Sequence, residues 1–306
     1  MRIIAMAYHN IGCAALKALL ELKENVVAVF THEDNPDENI WFESVEKLAV
    51  SRNIPVYKPE NPNKPEVIKI IKKYQPDIIF SFYYRHLVGE EILSIPSMGC
   101  INLHGSLLPK YRGRCPANWV ILHGEKETGL TLHYMVKKAD AGAIIASLII
   151  PISSNDTAFT LMQKFPKAAY KLVKEIYPLI KAGKAPRIIQ DHSQATYFGG
   201  RKPEDGKTDW NQTNVQIHNL VRAVTHPYPG AFGFLRNRKI FLWEVKPVIQ
   251  ERQLQPGTIF ISRKTLNIAT GKGAIRVISC QFEGDKEFDS KEFVRRYSIG
   301  KGELIT

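Results

Sequence analysis

The chain has 306 residues, of which 44% are hydrophobic and 24% are charged, and this balance is typical of a soluble globular protein with one large core and room for a smaller domain. Its longest apolar runs fall well short of the roughly 18 residues that a transmembrane helix needs, so the sequence excludes a membrane-spanning helix. The formal net charge of +12 favours a phosphate-bearing partner, either a nucleotide or a nucleic acid, although it also fits a role in solubility alone.

The amino terminus and the cysteines both indicate a cytoplasmic protein. The apolar run from Ile3 to Tyr8 is too short for the core of a signal peptide and is better explained as a first strand. The four cysteines form no CxxC pair, which agrees with a reducing compartment. We interpret Cys115 as a small packing residue, because a nucleophilic thiol needs an activating environment that the sequence does not show.

The first half of the chain alternates short β-rich runs with helical patterns. This alternation predicts an α/β fold with a Rossmann-like, doubly wound, mostly parallel sheet. The first strand–helix turn, "AYHNIGCAAL", lacks GxGxxG, and no P-loop motif is present. The predicted strands are 2–7, 26–32, 54–57, 76–82, 100–104, 130–135 and 143–152, and the predicted helices are 11–23, 42–53, 64–74, 90–95 and 117–124.

The second half predicts a long helix, a loop-rich connection and a small β-rich domain. The helix covers 155–185, is capped by Asp156 or Thr157, ends near Gly183, and is kinked or broken at Pro166. A helix at 214–224 and strands at 231–235, 239–245, 257–262, 265–270 and 274–280 predict a small open β-barrel, similar to an OB fold. The expected domains are a catalytic Rossmann-like domain at 1–188, a linker at 189–212 and a small C-terminal β-barrel domain at 213–306.

Three polar residues follow predicted strands and are candidates for catalysis. Ligands of an open α/β sheet bind beyond the carboxyl ends of its strands, so Asn102, His104 and Asp140 are expected to meet there, with the imidazole open to solvent. Asn102 would donate its amide to a carbonyl oxygen that gains negative charge, His104 would move a proton, and Asp140 would orient the ring. No nucleophilic Ser or Cys elbow is evident, which favours direct transfer between two bound substrates.

Metal binding is the alternative for the histidines. His9, His86, His104 and His133 lack the spacing of known metal motifs, so we predict no metal.

The segment 102–145, "NLHGSLLPKYRGRCPANWVILHGEKETGLTLHYMVKKADAGAII", resembles the formyltransferases that use 10-formyltetrahydrofolate as formyl donor. The resemblance extends over nearly the whole chain and includes "HPYPGAF" in its last third. It implies that Asn102 polarises the formyl oxygen, that His104 transfers the proton and that Asp140 tunes the ring. Cys115 stands where the resemblance leads us to expect alanine. The residues that it implies for the folate site are His86, Leu87, Val88, Arg114, Val136, Lys137, Lys138 and Ala139.

Further stretches indicate the class of formyl acceptor. The stretches "FTHEDNPDENIWFESVEKLA", "SFYYRHLVGEEIL" and "KKADAGAI" are similar to the formyltransferase domain of the bifunctional polymyxin-resistance enzymes, which formylates UDP-4-amino-4-deoxy-L-arabinose. The acidic loop 33–39 would repel tRNA phosphates, so a sugar nucleotide is favoured over methionyl-tRNA, and nucleic acid is not expected as a partner. The same polar residues would also fit a deformylase that uses water as acceptor, and the fold alone would fit a folate or nucleotide sensor without activity.

The same resemblance suggests contacts to the acceptor and to other proteins. Arg201 and Lys202 are candidates for the diphosphate, and His226 and Tyr228 for the nucleotide, although the latter two also fit a turn at a domain junction. A homo-oligomer, or an NAD-dependent decarboxylase partner that is fused or separate, would also agree with the resemblance.

Overall fold

The structure is a computed structural model that describes residues 1–35, 40–250, 254–262 and 264–306. The acidic loop predicted at 33–39 is therefore described only for its first three residues, and residues 36–39 lie outside the described part. No helix in the described ranges is long and apolar enough to span a membrane. The chain forms two compact units: the first contains Met1–Pro116, Glu127–Pro151 and Met162–Gly199, and the second contains Ala117–Lys126, Ile152–Leu161 and Gly200–Thr306.

The first unit is built on a seven-stranded sheet, with a separate two-stranded pair beside the candidate site. The sheet order is β3-β2-β1-β4-β5-β7-β8, in which the first five strands are parallel and β7 pairs antiparallel with both β5 and β8, so that β8 runs in the direction of the first five strands; separately, β6 pairs with β9. This confirms the predicted mostly parallel sheet. The strands are β1 (Arg2–Ala7), β2 (Asn25–Phe30), β3 (Val56–Tyr57), β4 (Ile78–Phe82), β5 (Cys100–His104), β6 (Arg112–Gly113), β7 (Glu127–Tyr134), β8 (Ile144–Pro151) and β9 (Tyr197–Phe198).

Helices pack on the central strands, and this explains why those strands are continuously apolar. Along β4, for example, all five residues are buried. One core cluster joins β1, β2 and β4 to the helices α3 and α4 through side chains such as Ile4, Phe30 and Ile71. The helices up to residue 181 are α1 (His9–Glu21), α2 (Val45–Val50), α3 (Pro65–Tyr74), α4 (Glu90–Leu93), α5 (Pro116–Leu122) and α6 (Ala158–Lys181).

Helix α6 contains two prolines in its interior. The helix continues through Pro166 and Pro178, so the break that the sequence allowed at Pro166 does not occur. Buried side chains on both sides of Pro166, including Phe165 and Ala169, hold the helix by tertiary packing that outweighs the lost hydrogen bond. At its start, Thr157 and Thr160 exchange backbone-to-hydroxyl hydrogen bonds, in agreement with one of the two predicted caps.

The second unit contains an antiparallel sheet in the order β10-β11-β14-β13-β12, with β15 paired to β14. The last residues of the chain join its two edges, because Ile305 donates to the carbonyl of Gly257 beside β12 and Thr306 donates to that of Phe234 on β10. A small barrel results, as predicted, together with a helix at 290–297 that the sequence analysis missed. The elements are α7 (Asn214–Val224), β10 (Ala231–Leu235), β11 (Arg238–Val248), β12 (Ile259–Ser262), β13 (Thr265–Ala269), β14 (Ala274–Phe282), β15 (Phe288–Asp289) and α8 (Ser290–Tyr297).

The segment predicted as a linker, 189–212, contains more structure than expected. Its first part carries β9 and belongs to the first unit, while the residues from Gly200 onward belong to the second unit. The parallel pairing of β9 with β6 explains this, because two short strands satisfy backbone groups that a solvent-exposed linker would leave to water.

Candidate active site

Asn102 and His104 lie on the last part of β5, between the parallel strand β4 and the antiparallel strand β7. Residues two apart on a strand share a face, so both side chains point to the same side of the sheet. Asn102 is half-buried, whereas His104 is only 6% exposed. The expectation that the imidazole is open to solvent is therefore wrong for this structure, and the loop that follows β5 supplies the physical reason.

This loop covers the His104 ring through one carbonyl group. The carbonyl of Tyr111 accepts hydrogen bonds from His104 Nε2 at 2.7 Å and from Ser106 Oγ at 3.3 Å. A carbonyl oxygen can only accept, so the ring carries its proton on Nε2 and Nδ1 is the basic nitrogen. Nδ1 lies 3.5 Å from Oδ1 of Asp140.

Asp140 reaches the ring by a route that the sequence did not predict. The strand before it was expected to run parallel to β5, but β7 is antiparallel and ends next to Ile101, near the start of β5. The connection to β8 then turns back and brings the carboxylate beside His104. Gly113 donates its backbone N–H to Oδ2 of Asp140 at 2.8 Å, which fixes the carboxylate from a second loop. Asn102, His104 and Asp140 thus come together as predicted.

His133 is a fourth member of this cluster that the sequence analysis considered only as a metal ligand. Its Nδ1 donates to the carbonyl of Tyr134 at 2.9 Å, so its Nε2 accepts from the amide of Asn102 at 3.1 Å. Nε2 also lies 3.5 Å from Oδ1 of Asp140. The signal was present in the sequence, because His133 lies on the strand that pairs with β5, directly opposite Asn102.

Oδ1 of Asp140 is the centre of the cluster. The amide of Asn102 and the two imidazoles each place a nitrogen 3.4–3.5 Å from this oxygen. Of the three nitrogens, only that of the Asn102 amide carries a hydrogen to donate, because the imidazole nitrogens that face Asp140 are the ones with the lone pair. The Asn102 contact is longer than a typical hydrogen bond of 2.7–3.2 Å.

Burial and the neighbouring charges set the protonation states of His104 and Asp140. Burial lowers the pKa of His104 below the ordinary value of 6.5, and this effect exceeds the opposing influence of the Asp140 carboxylate and the Tyr111 carbonyl. Burial alone would raise the pKa of Asp140, but His104, His133 and the Gly113 amide together hold it below the ordinary range. At neutral pH the site therefore contains a neutral imidazole that can accept a proton beside a carboxylate that stays ionised.

The strand pair β6–β9 holds the covering loop in place. The backbone of Tyr111 donates to Thr196 Oγ1 at 2.8 Å, and its ring stacks on Phe198 with centroids 5.2 Å apart. Gly113 has φ of +99°, and a side chain there would overlap the carbonyl oxygen of Phe198. Only glycine allows this close approach of the two backbones. The same backbone position lets the N–H of Gly113 donate to Asp140.

A buried cation lies behind the cluster. Arg112 is 1% exposed and donates to Oε1 of Gln190 at 2.5 and 3.2 Å and to the Tyr197 hydroxyl at 2.5 Å. The amide nitrogen of Gln190 donates in turn to the carbonyls of Asp140 and Gly142. Gln190 thus couples a buried guanidinium to the backbone of the loop that carries Asp140.

The segment His86–Val88, which is predicted to line the binding site of the formyl donor, is mostly exposed. The Leu87 residue is 77% exposed. The side-chain amide of Asn63 holds the backbone on both sides of it, because it donates to the Leu87 carbonyl at 2.9 Å and accepts from the N–H of Gly89. His32, which the sequence analysis missed, accepts from the backbone N–H of Arg85 at 3.0 Å and contacts the His86 ring at 4.7 Å. Burial, with nearby His86 and Arg85, lowers the pKa of His32 to about 4, so this nitrogen keeps its lone pair at neutral pH.

The other residues predicted to contact the formyl donor also lie on the surface of the first unit. Val136 is 46% exposed, Lys137 pairs with Glu90 at 3.0 Å, and Lys138 lies 5.1 Å from the centre of the Tyr197 ring. Ala139 and Arg114 are exposed, whereas Cys115 is half-buried with φ of +53°. Their contact with a folate stays a prediction.

The four predicted acceptor contacts belong to the second unit, where each has local partners. Arg201 lies over the Trp119 ring at 4.8 Å, and the backbone of Lys202 donates to Asp205. His226 stacks on Trp243 at 3.7 Å and lies 3.0 Å from Glu287, and the backbone of Tyr228 donates to Thr225. Their role toward an acceptor stays a prediction. Across the described residues, no group of three or more His, Cys, Asp or Glu side chains could hold a metal ion.

Comparison with solved structures gives the same fold at low sequence identity. WlaRD, described as a sugar 3N-formyl transferase and solved with dTDP and 5-N-formyl-THF, is 20% identical with a TM-score of 0.70, over 94% of this chain and 99% of that one. The N-formyltransferase from Helicobacter canadensis, in complex with folinic acid and dTDP-3-aminofucose, is 21% identical with a TM-score of 0.68 over the same shares. HypX from Aquifex aeolicus is 18% identical with a TM-score of 0.63, and the match covers 99% of this chain but 48% of HypX.

The family comparison covers both units. Residues 2–176 match the formyl transferase domain, and residues 201–298 match the C-terminal domain of formyl transferases. Together with the cluster at the end of β5, these matches confirm the resemblance inferred from the segment 102–145: the chain belongs to the formyl transferase family.

Proposed function

We propose that this protein transfers a formyl group from 10-formyltetrahydrofolate to the amino group of a nucleotide-linked amino sugar, of which UDP-4-amino-4-deoxy-L-arabinose is the first candidate. The observation that carries the proposal is the cluster of Asn102, His104 and Asp140 in a chain of the formyl transferase family. The sugar-nucleotide acceptor is supported by the stretches at 30–49 and 81–93 and by the acceptors named for two solved structures of the same fold.

The surface around the cluster fits a folate-type donor. Leu87 and Val136 offer exposed apolar area to an aromatic ring, and Lys137 and Lys138 offer positive charge to carboxylates. When bound, the donor supplies a formyl group on a nitrogen that can leave once it is protonated. The remaining requirements are a hydrogen-bond donor for the carbonyl oxygen and a group that moves one proton, and both are present.

Each residue of the cluster has a role that its contacts allow. The amide N–H of Asn102 that points at Asp140 spans a long 3.4 Å, so it can turn to a carbonyl oxygen that gains negative charge. Neutral His104 accepts the proton of the attacking amine at Nδ1, because its Nε2–H is held by Tyr111. Ionised Asp140 stabilises the imidazolium, which then gives the proton to the departing nitrogen. The new C–N bond replaces the old one, and the proton count is unchanged.

Burial of the His104 ring adds a requirement to this mechanism. Only 6% of the residue is exposed, so the covering loop restricts the access of the amine to Nδ1. Water has equally little access, and exclusion of water favours transfer to an amine over hydrolysis.

An acceptor screen tests the proposal. The protein is incubated with 10-formyltetrahydrofolate and, in separate reactions, with UDP-4-amino-4-deoxy-L-arabinose, other amino-sugar nucleotides, methionyl-tRNA or no acceptor, and the products are identified by mass spectrometry. The expected result is the mass gain of one formyl group on an amino-sugar nucleotide. Formylation of the tRNA-bound methionine alone would make the protein a methionyl-tRNA formyltransferase, and release of formate without an acceptor would make it a deformylase.

A further inference from the structure

A groove of about 640 Å³ in the first unit lies between α1 and α6 and is bordered by the segment 41–43. The mechanism proposed above does not use it. Aromatic rings, amides and side chains of both charges line this groove, together with Ala14 and Pro166. A simple anion site would not need the rings, and an apolar site would not contain the charges.

The aromatic wall consists of Trp41 and Phe42, whose rings meet edge to face at 5.8 Å. Both rings contact His9, with centroid distances of 4.6 and 4.3 Å, and His9 is 4% exposed. Burial, with the Arg85 charge, lowers the pKa of His9 to about 4, so the rings pack on a neutral imidazole. Half-buried rings held in this way suit a planar ligand group, since nucleotide bases stack favourably on aromatic side chains whatever their sequence.

The charged part of the groove is fixed beside this wall. Lys17 pairs with Glu43 at 2.7 Å, and the backbone of Glu43 donates to Asn10 Oδ1 at 2.7 Å. The carboxylate and the ammonium are 60% and 44% exposed, so both can contact a ligand. Exposed Lys167 adds a second positive charge from α6. A carboxylate accepts from ribose hydroxyls, and ammonium groups bind phosphate oxygens.

Buried residues connect the walls of the groove with the ends of the catalytic strands. The His9 ring, which packs behind Trp41 and Phe42, contacts Tyr83 just after β4, with centroids 5.2 Å apart. Phe165 precedes Pro166 of the groove, and its ring would lie 3.3 Å from a Cβ added at Gly105, the residue after His104.

We propose that this groove binds the nucleoside diphosphate part of the acceptor, with the base against Trp41 and Phe42, the ribose near Glu43 and the phosphates near the lysines. The inference rests on the proposed function, because it names the place where that acceptor is held. It assigns these contacts to the first unit and not to the four residues of the second unit suggested by the sequence.

Binding of UDP alone tests the groove without any turnover. UDP is titrated into the full chain and followed by calorimetry and by tryptophan fluorescence. Ala14→Phe fills the groove, and Lys167→Ala removes one positive charge. Lys171→Ala is the matched control, since this exposed lysine on the same helix does not line the groove. Thermal unfolding is compared for all variants, so that a misfolded Ala14→Phe protein is recognised. In that case the result for Lys167→Ala decides the test.

The expected weakening of UDP binding is at least about tenfold for Ala14→Phe and about fivefold for Lys167→Ala, with no change for the control. The KM for the amino-sugar nucleotide should rise by the same factors, while the KM for the formyl donor stays constant. Trp41→Phe should abolish the fluorescence change.

The outcomes separate the two proposals. If the wild-type protein formylates the sugar nucleotide but all variants bind UDP equally, the groove is not the subsite and the function stands. If no amino-sugar nucleotide is formylated but UDP binding is lost in Ala14→Phe, the groove inference stands and the function fails. If the variants instead raise the KM of a polyglutamylated donor and leave UDP binding unchanged, the groove holds the donor's tail and the inference is overturned.

Discussion

The side chains around Asp140 and those around Leu87 are held in different ways. The Asp140 carboxylate is contacted from three strands, β5, β6 and β7, and is 12% exposed. Leu87 is 77% exposed on a loop that Asn63 and His32 fix through its backbone alone. Around Asp140 the side chains are held in position before a substrate arrives. Around Leu87 only the backbone is held in position.

This contrast separates chemistry from binding. Groups that must stabilise developing charge are most effective when they are already oriented, because no reorganisation is then needed during the reaction. Apolar groups that bury a ligand contribute mainly through the area that they cover. Substitutions in the cluster should therefore change kcat, and substitutions of exposed apolar residues predicted to line the formyl-donor site, such as Leu87, should change KM.

The largest effect is expected for His104→Ala. This change removes the imidazole whose Nε2–H is held by the covering loop and whose basic Nδ1 faces the ionised carboxylate at 3.5 Å. Loss of a general acid–base group lowers kcat by about 10²- to 10⁴-fold. Steady-state kinetics with the acceptor found in the screen gives the value. His218→Ala is the control, because that histidine lies on α7 of the second unit. A His104→Ala protein with wild-type turnover would remove the proposed mechanism.

Asp140→Asn should lower kcat by about 100-fold and also move the pH profile. Asn tolerates the left-handed backbone of this position, φ +55°, and still accepts from Gly113, so the fold should be kept. The carboxylate raises the pKa of His104, so its loss lowers that pKa further. Because the neutral ring is the active form, the acid side of the kcat/KM profile should shift to lower pH.

The control for this experiment is the same pH profile for the wild-type protein. An acid limb that stays in place, or that moves to higher pH, would show that Asp140 does not act on the His104 ring.

Gly113→Ala should damage stability and activity together. The added methyl group overlaps the Phe198 carbonyl and forces alanine to φ of +99°, a strain of about 1–3 kcal/mol. The N–H that holds Asp140 would move with the backbone, so kcat should fall by about tenfold. Thermal unfolding and steady-state kinetics measure the two effects.

Gly199→Ala is the matched control for Gly113→Ala. An added Cβ at Gly199 meets no atom within 4 Å in the described part of the chain, so both quantities should stay unchanged. Equal behaviour of the two variants would mean that the β6–β9 contact does not position Asp140.

Parts of the fold and of the site could be predicted because their signals are local. The apolar run before Asn102 and the two-residue spacing to His104 predict a buried strand with both side chains on one face, and the structure agrees. The direction of β7 could not be predicted, because an apolar run of this length fits a parallel or an antiparallel neighbour equally well. The proximity of Asp140 to His104 was therefore predicted correctly, but the reasoning was wrong: it placed the carboxyl ends of both strands at one edge of the sheet, whereas β7 is antiparallel to β5.

The least predictable contacts join residues far apart in the chain. Gln190 and Phe198 lie in a segment rich in polar and turn residues, which is typical of a linker, yet they bind Arg112 and cover Gly113. Their separation of about 80 residues leaves no periodic signal. A guanidinium that is 1% exposed was also unexpected, since arginine is almost never fully buried without partners.

The smallest effect is expected for Leu87→Ser. Full burial of a leucine side chain contributes about 1.5–3 kcal/mol, and a ligand that covers part of Leu87 would gain a fraction of this. The KM for the formyl donor should therefore rise by about two- to fivefold while kcat stays constant. Ile149→Ser, at another exposed apolar position of the first unit, should leave both constants unchanged. A lower kcat for Leu87→Ser with an unchanged KM would break the contrast between the two regions, because it would show that this exposed side chain also orients the reacting groups.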